Sequence, residues 1–279
     1  MLQKLPGRVD VRDNVEFGAG GSRPLHCDVF TPPDSNTART SILLVHGGAW
    51  QQGDRTQLRG YGIQLARYGF LCVASEYRRS DEARWPAQIH DVKAAVRWMR
   101  ANAASLGIDP QKICVSGNSA GAHLALMVGA TPNVSVFEGD GGQKGAGTGC
   151  AAVVAIYPPT RLRIGDAADP VGKLFGGKAS VEAQDAASPV TYAHRQFPPT
   201  LLIHGNADDV VPVDASFEMY RALASAGASV ELHVYDGAPH AFDAVPEFGR
   251  QLTDVIALFV DRKIANPREF ERPGAPIGS

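Results

Sequence analysis

A serine within Gly117-Asn118-Ser119-Ala120-Gly121 could act as a nucleophile. A β-branched run, Ile113 to Ser116, precedes it, and an apolar, small-residue run from Ala120 to Ala130 follows. A serine at such a strand-to-helix turn sits in strained backbone geometry with its Oγ exposed. Gly117 and Gly121 lack Cβ atoms that would meet the neighbouring chain, and the helix N-terminus favours developing negative charge. The plainer reading is a glycine-rich turn with a surface serine. A hydroxyl is a weak nucleophile at neutral pH. It needs a base within hydrogen-bond reach, and the base needs a carboxylate to fix its tautomer.

Three further stretches could complete that chemistry. His46-Gly47-Gly48-Ala49-Trp50 follows a buried run, Ser41 to Val45. Its N–H groups, with that of Ala120, could converge on an oxyanion. The competing reading is an ordinary turn. Asp208 and Asp209 follow the run Pro199 to His204, and His240 follows Val230 to Tyr235. The order Ser, Asp, His is that of one known convergent solution. Chemistry alone leaves Asp208 and Asp209 equivalent.

These residues must be positioned by elements, and the sequence sets out a rhythm. Buried runs at 41–45, 70–75, 113–116, 151–157, 199–204 and 230–235 read as strands. Between them lie helical spacings at 56–68, at 86–104 (Ile89, Val92, Ala95, Val96, Met99), at 120–130, from Asp214 as cap to Ser225, and at 247–265. Residues 8–30 alternate weakly, as two antiparallel strands would, and Pro32 to Asn36 ends the second. Gly107-Ile108-Asp109-Pro110 reads as a turn, 133–149 as a glycine-rich surface loop, and the tail from Pro267 as loosely ordered. Segment 158–189 breaks the rhythm and reads as an insertion over one end of the sheet. The alternation argues for an α/β fold with a mostly parallel sheet, whose ligands sit beyond the carboxyl ends of the strands.

Bulk properties narrow the class. The chain has 279 residues, 44% hydrophobic, with a net charge of −2 and no Lys/Arg block, which disfavours nucleic acid and anionic membrane as partners. No run is long enough to span a bilayer. Cys27, Cys72, Cys114 and Cys150 show no C-x-x-C spacing, so a reducing, cytoplasmic compartment is expected. His90 and His123 read as packed or solvated histidines, and the histidines lack metal-ligand spacing.

Together, Gly117–Gly121, His46-Gly47-Gly48, His204-Gly205-x-x-Asp208 with Val211-Pro212, and His240-Ala241-Phe242 resemble an α/β-hydrolase. Within that fold the chain resembles the hormone-sensitive-lipase-like esterases and their small bacterial feruloyl and acetyl esterase branch. The resemblance implies a single α/β-hydrolase domain over 1–279, with helices on both faces of a mostly parallel central sheet. It implies nucleophile Ser119, acid Asp208, base His240, and oxyanion donors Gly47, Gly48 and Ala120. Ala49 stands where the family often has a third glycine, and Asn118 where lipase-like members often have Asp. The expected activity is hydrolysis of short-acyl or small aryl esters through an acyl-enzyme, with a small-molecule ester as partner and no cofactor or metal. A homodimer is compatible with this reading. The alternatives are an arylformamidase, which the Ser-Ala-Gly-Ala-His run also resembles, and a non-catalytic small-molecule receptor. A cap at about 158–196 is expected to roof the pocket, with Trp50, Asn118 and Trp85 as its walls.

Overall fold

The computed structural model describes residues 2–33, 39–165 and 169–268. Eight strands form one sheet in the order β1-β2-β4-β3-β5-β6-β7-β8. Their spans are β1 Asp10–Gly20, β2 Arg23–Thr31, β3 Arg39–Val45, β4 Leu71–Ser75, β5 Ile108–Asn118, β6 Ala152–Ile156, β7 Thr200–Gly205 and β8 Val230–Tyr235. β1 and β2 pair antiparallel, β2 joins β4 antiparallel, and every pairing from β4 to β8 is parallel. Successive side chains of a strand point to opposite faces. Leu43 and Val45 therefore enter one core, while Ile42 and Leu44 enter the other. That two-sided burial is why β3, β4, β6 and β7 carry no polar alternation.

The helices are α1 Arg59–Ala66, α2 Ala87–Ala101, α3 Ala103–Leu106, α4 Ala120–Ala130, α5 Pro170–Phe175, α6 Val181–Ala186, α7 Asp214–Ser225 and α8 Pro246–Val260. Helices α2, α4 and α7 pack into the core of Leu43, whereas α1 and α8 pack into that of Ile42. Every residue of α4 is buried, which explains its apolar, small-residue composition. No helix among the described residues is long and apolar enough to cross a membrane.

Several expectations need correction. Of the turn expected at 107–110, only Gly107 is one, as the left-handed cap of α3, and Ile108 to Pro110 lie within β5. Ile108 pairs with Arg39, and the register then shifts so that Ser41 faces Ile113. Pro110, which has no N–H for the ladder, sits in that excursion. Asp214 is the first helical residue of α7 rather than its cap. The closing helix changes to a π-helical turn at Asp261–Ala265. The 133–149 loop is pinned to α2. Lys93 Nζ donates to Thr131 O and to Glu138 Oε1 at 2.8 Å, Arg97 donates to Glu138 and Gly141, and Phe137 is buried. The break at 34–36 and the tail beyond 268 lie outside the described residues.

Candidate active site

Ser119 sits between β5 and α4 with φ 51° and ψ −120°. A non-glycine residue at positive φ is strained, and here the strain lifts Oγ out of both elements. The elbow closes only because of glycines. A Cβ on Gly121 would lie 2.0 Å from Val45 O, and one on Gly117 would lie 2.4 Å from the Gly121 carbonyl carbon. The small residues of the motif thus allow β3, β5 and α4 to approach closely behind the serine.

β8 delivers His240 and β7 delivers Asp208. Asp208 Oδ2 accepts from His240 Nδ1 at 2.7 Å, and His240 Nε2 lies 3.1 Å from Ser119 Oγ. An ionised carboxylate only accepts, so Nδ1 carries the proton and Nε2 is free to accept from the serine hydroxyl. Asp208 is buried, while Asp209 is exposed. The other oxygen of Asp208 accepts the N–H groups of Val210 and Val211 at 2.9 and 2.8 Å. Of the two carboxylates that side-chain chemistry left equivalent, the loop presents Asp208 to His240.

His204, which the sequence reading quoted only as part of a motif, supports this loop. Its Nε2 donates to Val211 O at 2.8 Å and lies 3.3 Å from Asp208 Oδ2, while Nδ1 accepts from Ser216 Oγ at 2.7 Å. Burial holds its pKa below the usual histidine range, so it serves as a neutral strut.

The turn after β3 faces Ser119. Gly48 has φ 114°, and Ala49 and Trp50 follow at 53° and 58°. Ala49 therefore adopts the left-handed conformation, at a cost of about 1–2 kcal/mol. The N–H groups of Gly47 and Gly48 donate to no other described residue within the chain. His46 anchors the turn from behind. Its ring stacks on Tyr77 at 4.3 Å, its Nδ1 lies 2.8 Å from Gly47 O, and burial lowers its pKa. Ala120 begins α4, so its N–H is among those without an intrahelical acceptor.

A cleft of about 590 Å³ opens onto Ser119 and His240, within the range of small-molecule sites. Gly47, Gly48 and Asn118 line it, but Trp50 and Trp85, expected as walls, do not. The turn directs Trp50 into the core, where it is 3% exposed and meets His123 edge-on at 5.3 Å. Trp85 packs against His123, Phe137 and Phe175. Nor does segment 158–196, in its described residues, line this cleft. Instead it packs against α4 and α7, where His123 Nε2 meets Ala187 O at 2.8 Å and Thr160 Oγ1 donates to Ala215 O at 2.8 Å. The walls come from the stretches around Gln52–Tyr61 and His240–Ala244.

Those walls hold a polar network that sequence reasoning missed. Asn118 Nδ2 donates to Tyr157 Oη at 3.1 Å, Tyr157 Oη donates to Asp243 Oδ1 at 2.5 Å, and Tyr61 Oη donates to Asp243 Oδ2 at 2.9 Å. Tyr157 directly follows β6 and looks in sequence like one more apolar strand residue. The available signal was Asp243, a carboxylate three positions after His240.

An eight-stranded, mostly parallel sheet with a serine at the β5–α4 elbow, and a histidine and an aspartate beyond later strands, defines an α/β-hydrolase fold. Residues 27–223 match the family model described as BD-FAE, and the chain belongs to that family. It is similar to esterase LipQ of Mycobacterium tuberculosis, with 31% identity over 88% of this chain and 61% of that protein. It is also similar to the probable carboxylic ester hydrolase LipM of the same organism, with 34% identity over 95% of this chain and 63% of that protein. The chain thus spans somewhat under two thirds of the length of these relatives. Among solved structures, a truncated carbohydrate esterase from gut microbiota superimposes with a TM-score of 0.81 at 29% identity, covering 92% of this chain and 99% of that one. Esterase 2 of Thermogutta terrifontis, phosphorylated by paraoxon, gives 0.78 at 26% identity, covering 95% and 98%.

Proposed function

We propose that this protein is a serine carboxylesterase acting on short-acyl or small aryl esters. The observation that carries the reading is His240 bridging Ser119 and Asp208 at 3.1 and 2.7 Å. Ser119 Oγ attacks the ester carbonyl while His240 Nε2 takes its proton. The N–H groups of Gly47, Gly48 and Ala120 stabilise the oxyanion. His240 then protonates the departing alcohol, leaving an acyl-enzyme, and water repeats the sequence to release the acid. Asp208 holds the imidazole tautomer and stabilises its cation. The reaction needs no cofactor, and its partner is a small-molecule ester.

The ester-hydrolase names of LipQ, LipM and the Thermogutta protein favour an ester over a formamide. The cleft favours compact substrates, since no described residue of segment 158–196 roofs it. Segment 158–196 is then a flank of one domain rather than a roof. A reducing, cytoplasmic compartment fits four free cysteines. The test is turnover of phenyl acetate, a feruloyl ester and N-formylkynurenine by the protein and by Ser119→Ala. Hydrolysis of the esters, lost in the variant, supports the reading. Turnover of the formamide alone would replace it with the formamidase.

A further inference from the structure

Among the described residues lining the cleft beside Ser119, the one acidic or basic side chain other than the His240 imidazole is Asp243. Among the described residues Asp243 makes no ion pair. Its partners are two phenols, Tyr61 and Tyr157. Burial, reinforced by the Asp243 charge, raises the pKa of both tyrosines, so the protons of these hydrogen bonds stay on the phenols. Tyr157 is almost fully buried and holds φ at 42°, a strained conformation for a bulky residue and one that clusters at functional sites. The cleft continues into a groove of about 400 Å³ that shares Gln57, Tyr61, Asp243 and Ala244 with it. Arg250, on the wall of that groove, is 57% exposed and lies 3.7 Å from Glu247.

A carboxylate with no counter-ion, set among aromatic rings, is a composition that attracts cations. We infer that this cleft selects its ester by charge, with Asp243 as the specificity-determining residue. It favours esters whose alcohol or acyl part carries an ammonium group over neutral esters of the same shape. It disfavours esters carrying a carboxylate. The inference rests on the esterase reading and adds a substrate class to it. A rival role for Asp243 is purely structural, holding Tyr157 against His240. That role would change the turnover of every ester together, whereas charge selection changes their ratio.

The experiment compares three thioesters: acetylthiocholine, its carbon isostere in which a tert-butyl group replaces the trimethylammonium, and S-acetylthioglycolate. The wild-type protein should prefer the cation to the isostere by roughly tenfold in kcat/KM, with the preference shrinking as salt rises. Asp243→Asn should bring that ratio close to one and raise the relative rate of the anionic ester. Gln57→Lys adds a compensating cation at an exposed position of the same cleft without touching the tyrosines, and should also lower the ratio. A wild-type ratio of one or less, or a preference unchanged in Asp243→Asn, overturns the inference. If the wild type hydrolyses none of the three, the esterase reading stands or falls separately on phenyl acetate. Calorimetry with choline against its carbon isostere then decides. Choline binding lost in Asp243→Asn sustains charge selection, and equal or absent binding of the two overturns it.

Discussion

The ring of Tyr157 packs against the imidazole of His240, 4.6 Å between centroids and inclined by 59°. The same residue accepts from Asn118, next to Ser119, and donates to Asp243. Tyr157 therefore ties the neighbour of the nucleophile to the packing of the base. Tyr157→Phe keeps the ring and removes the hydroxyl, leaving the Asn118 amide without its partner. The expected result is a loss of about 1–3 kcal/mol in stability, with kcat falling by no more than roughly tenfold. Tyr157→Ala, which also frees the imidazole, should cost far more in kcat. Thermal unfolding and steady-state kinetics on p-nitrophenyl acetate measure both, and equal kcat losses in the two variants would count against a role for the ring.

Asp208→Asn should lower kcat by about 10⁴, the loss seen when the same change is made in a serine-protease triad. Asp209→Asn should stay within a few-fold of wild type, because that side chain is exposed and makes no contact with His240. Similar losses from the two substitutions would leave the acid unassigned.

Stability should fall with acid. Burial lowers the pKa of His123 from 6.5 to about 4, because its charged form cannot be solvated between Trp50 and Trp85. Below pH 6.5 the unfolded chain takes up a proton that the folded one refuses. The stabilisation is complete above about pH 6.5 and is lost progressively as pH falls toward 4, by at most about 3 kcal/mol. His46 and His204, whose pKa values are also lowered, add to the same slope. Denaturant unfolding between pH 7.5 and 4.5 should show this decline, and His123→Leu should flatten it. An unchanged slope in the variant would remove His123 from the account.

For p-nitrophenyl esters from acetyl to palmitoyl, kcat/KM should be greatest at acetyl to butyryl. A pocket gains about 0.8 kcal/mol for each methylene it buries, and an open cleft stops gaining after the first few. A maximum at decanoyl or longer would show an acyl tunnel that the lining around Gln52–Tyr61 does not suggest.

The strands along the chain and the mostly parallel sheet were legible because burial on two faces leaves plain apolar runs, and the elbow at Ser119 was legible because such a turn demands glycines around it. What could not be read depended on side-chain direction. Trp50 enters the core because the backbone turns left-handed at two successive residues, which composition does not reveal. Asp208 and Asp209 differ only in which one the loop presents to His240. Lys93 and Arg97 have the spacing of a solvated face, yet Glu138 and loop carbonyls far along the chain cover them. Tyr157 and Asp243 meet across 86 residues, and nothing local marks either as polar machinery.

The central claim is that Ser119 is the activated nucleophile. Treating the protein with paraoxon and mapping the modified peptide by mass spectrometry tests it directly. A single diethylphosphoryl group on Ser119, appearing in proportion to the loss of ester turnover and absent from Ser119→Ala, is the predicted result. Labelling of another serine in step with inactivation, or full inactivation with Ser119 unmodified, would contradict it.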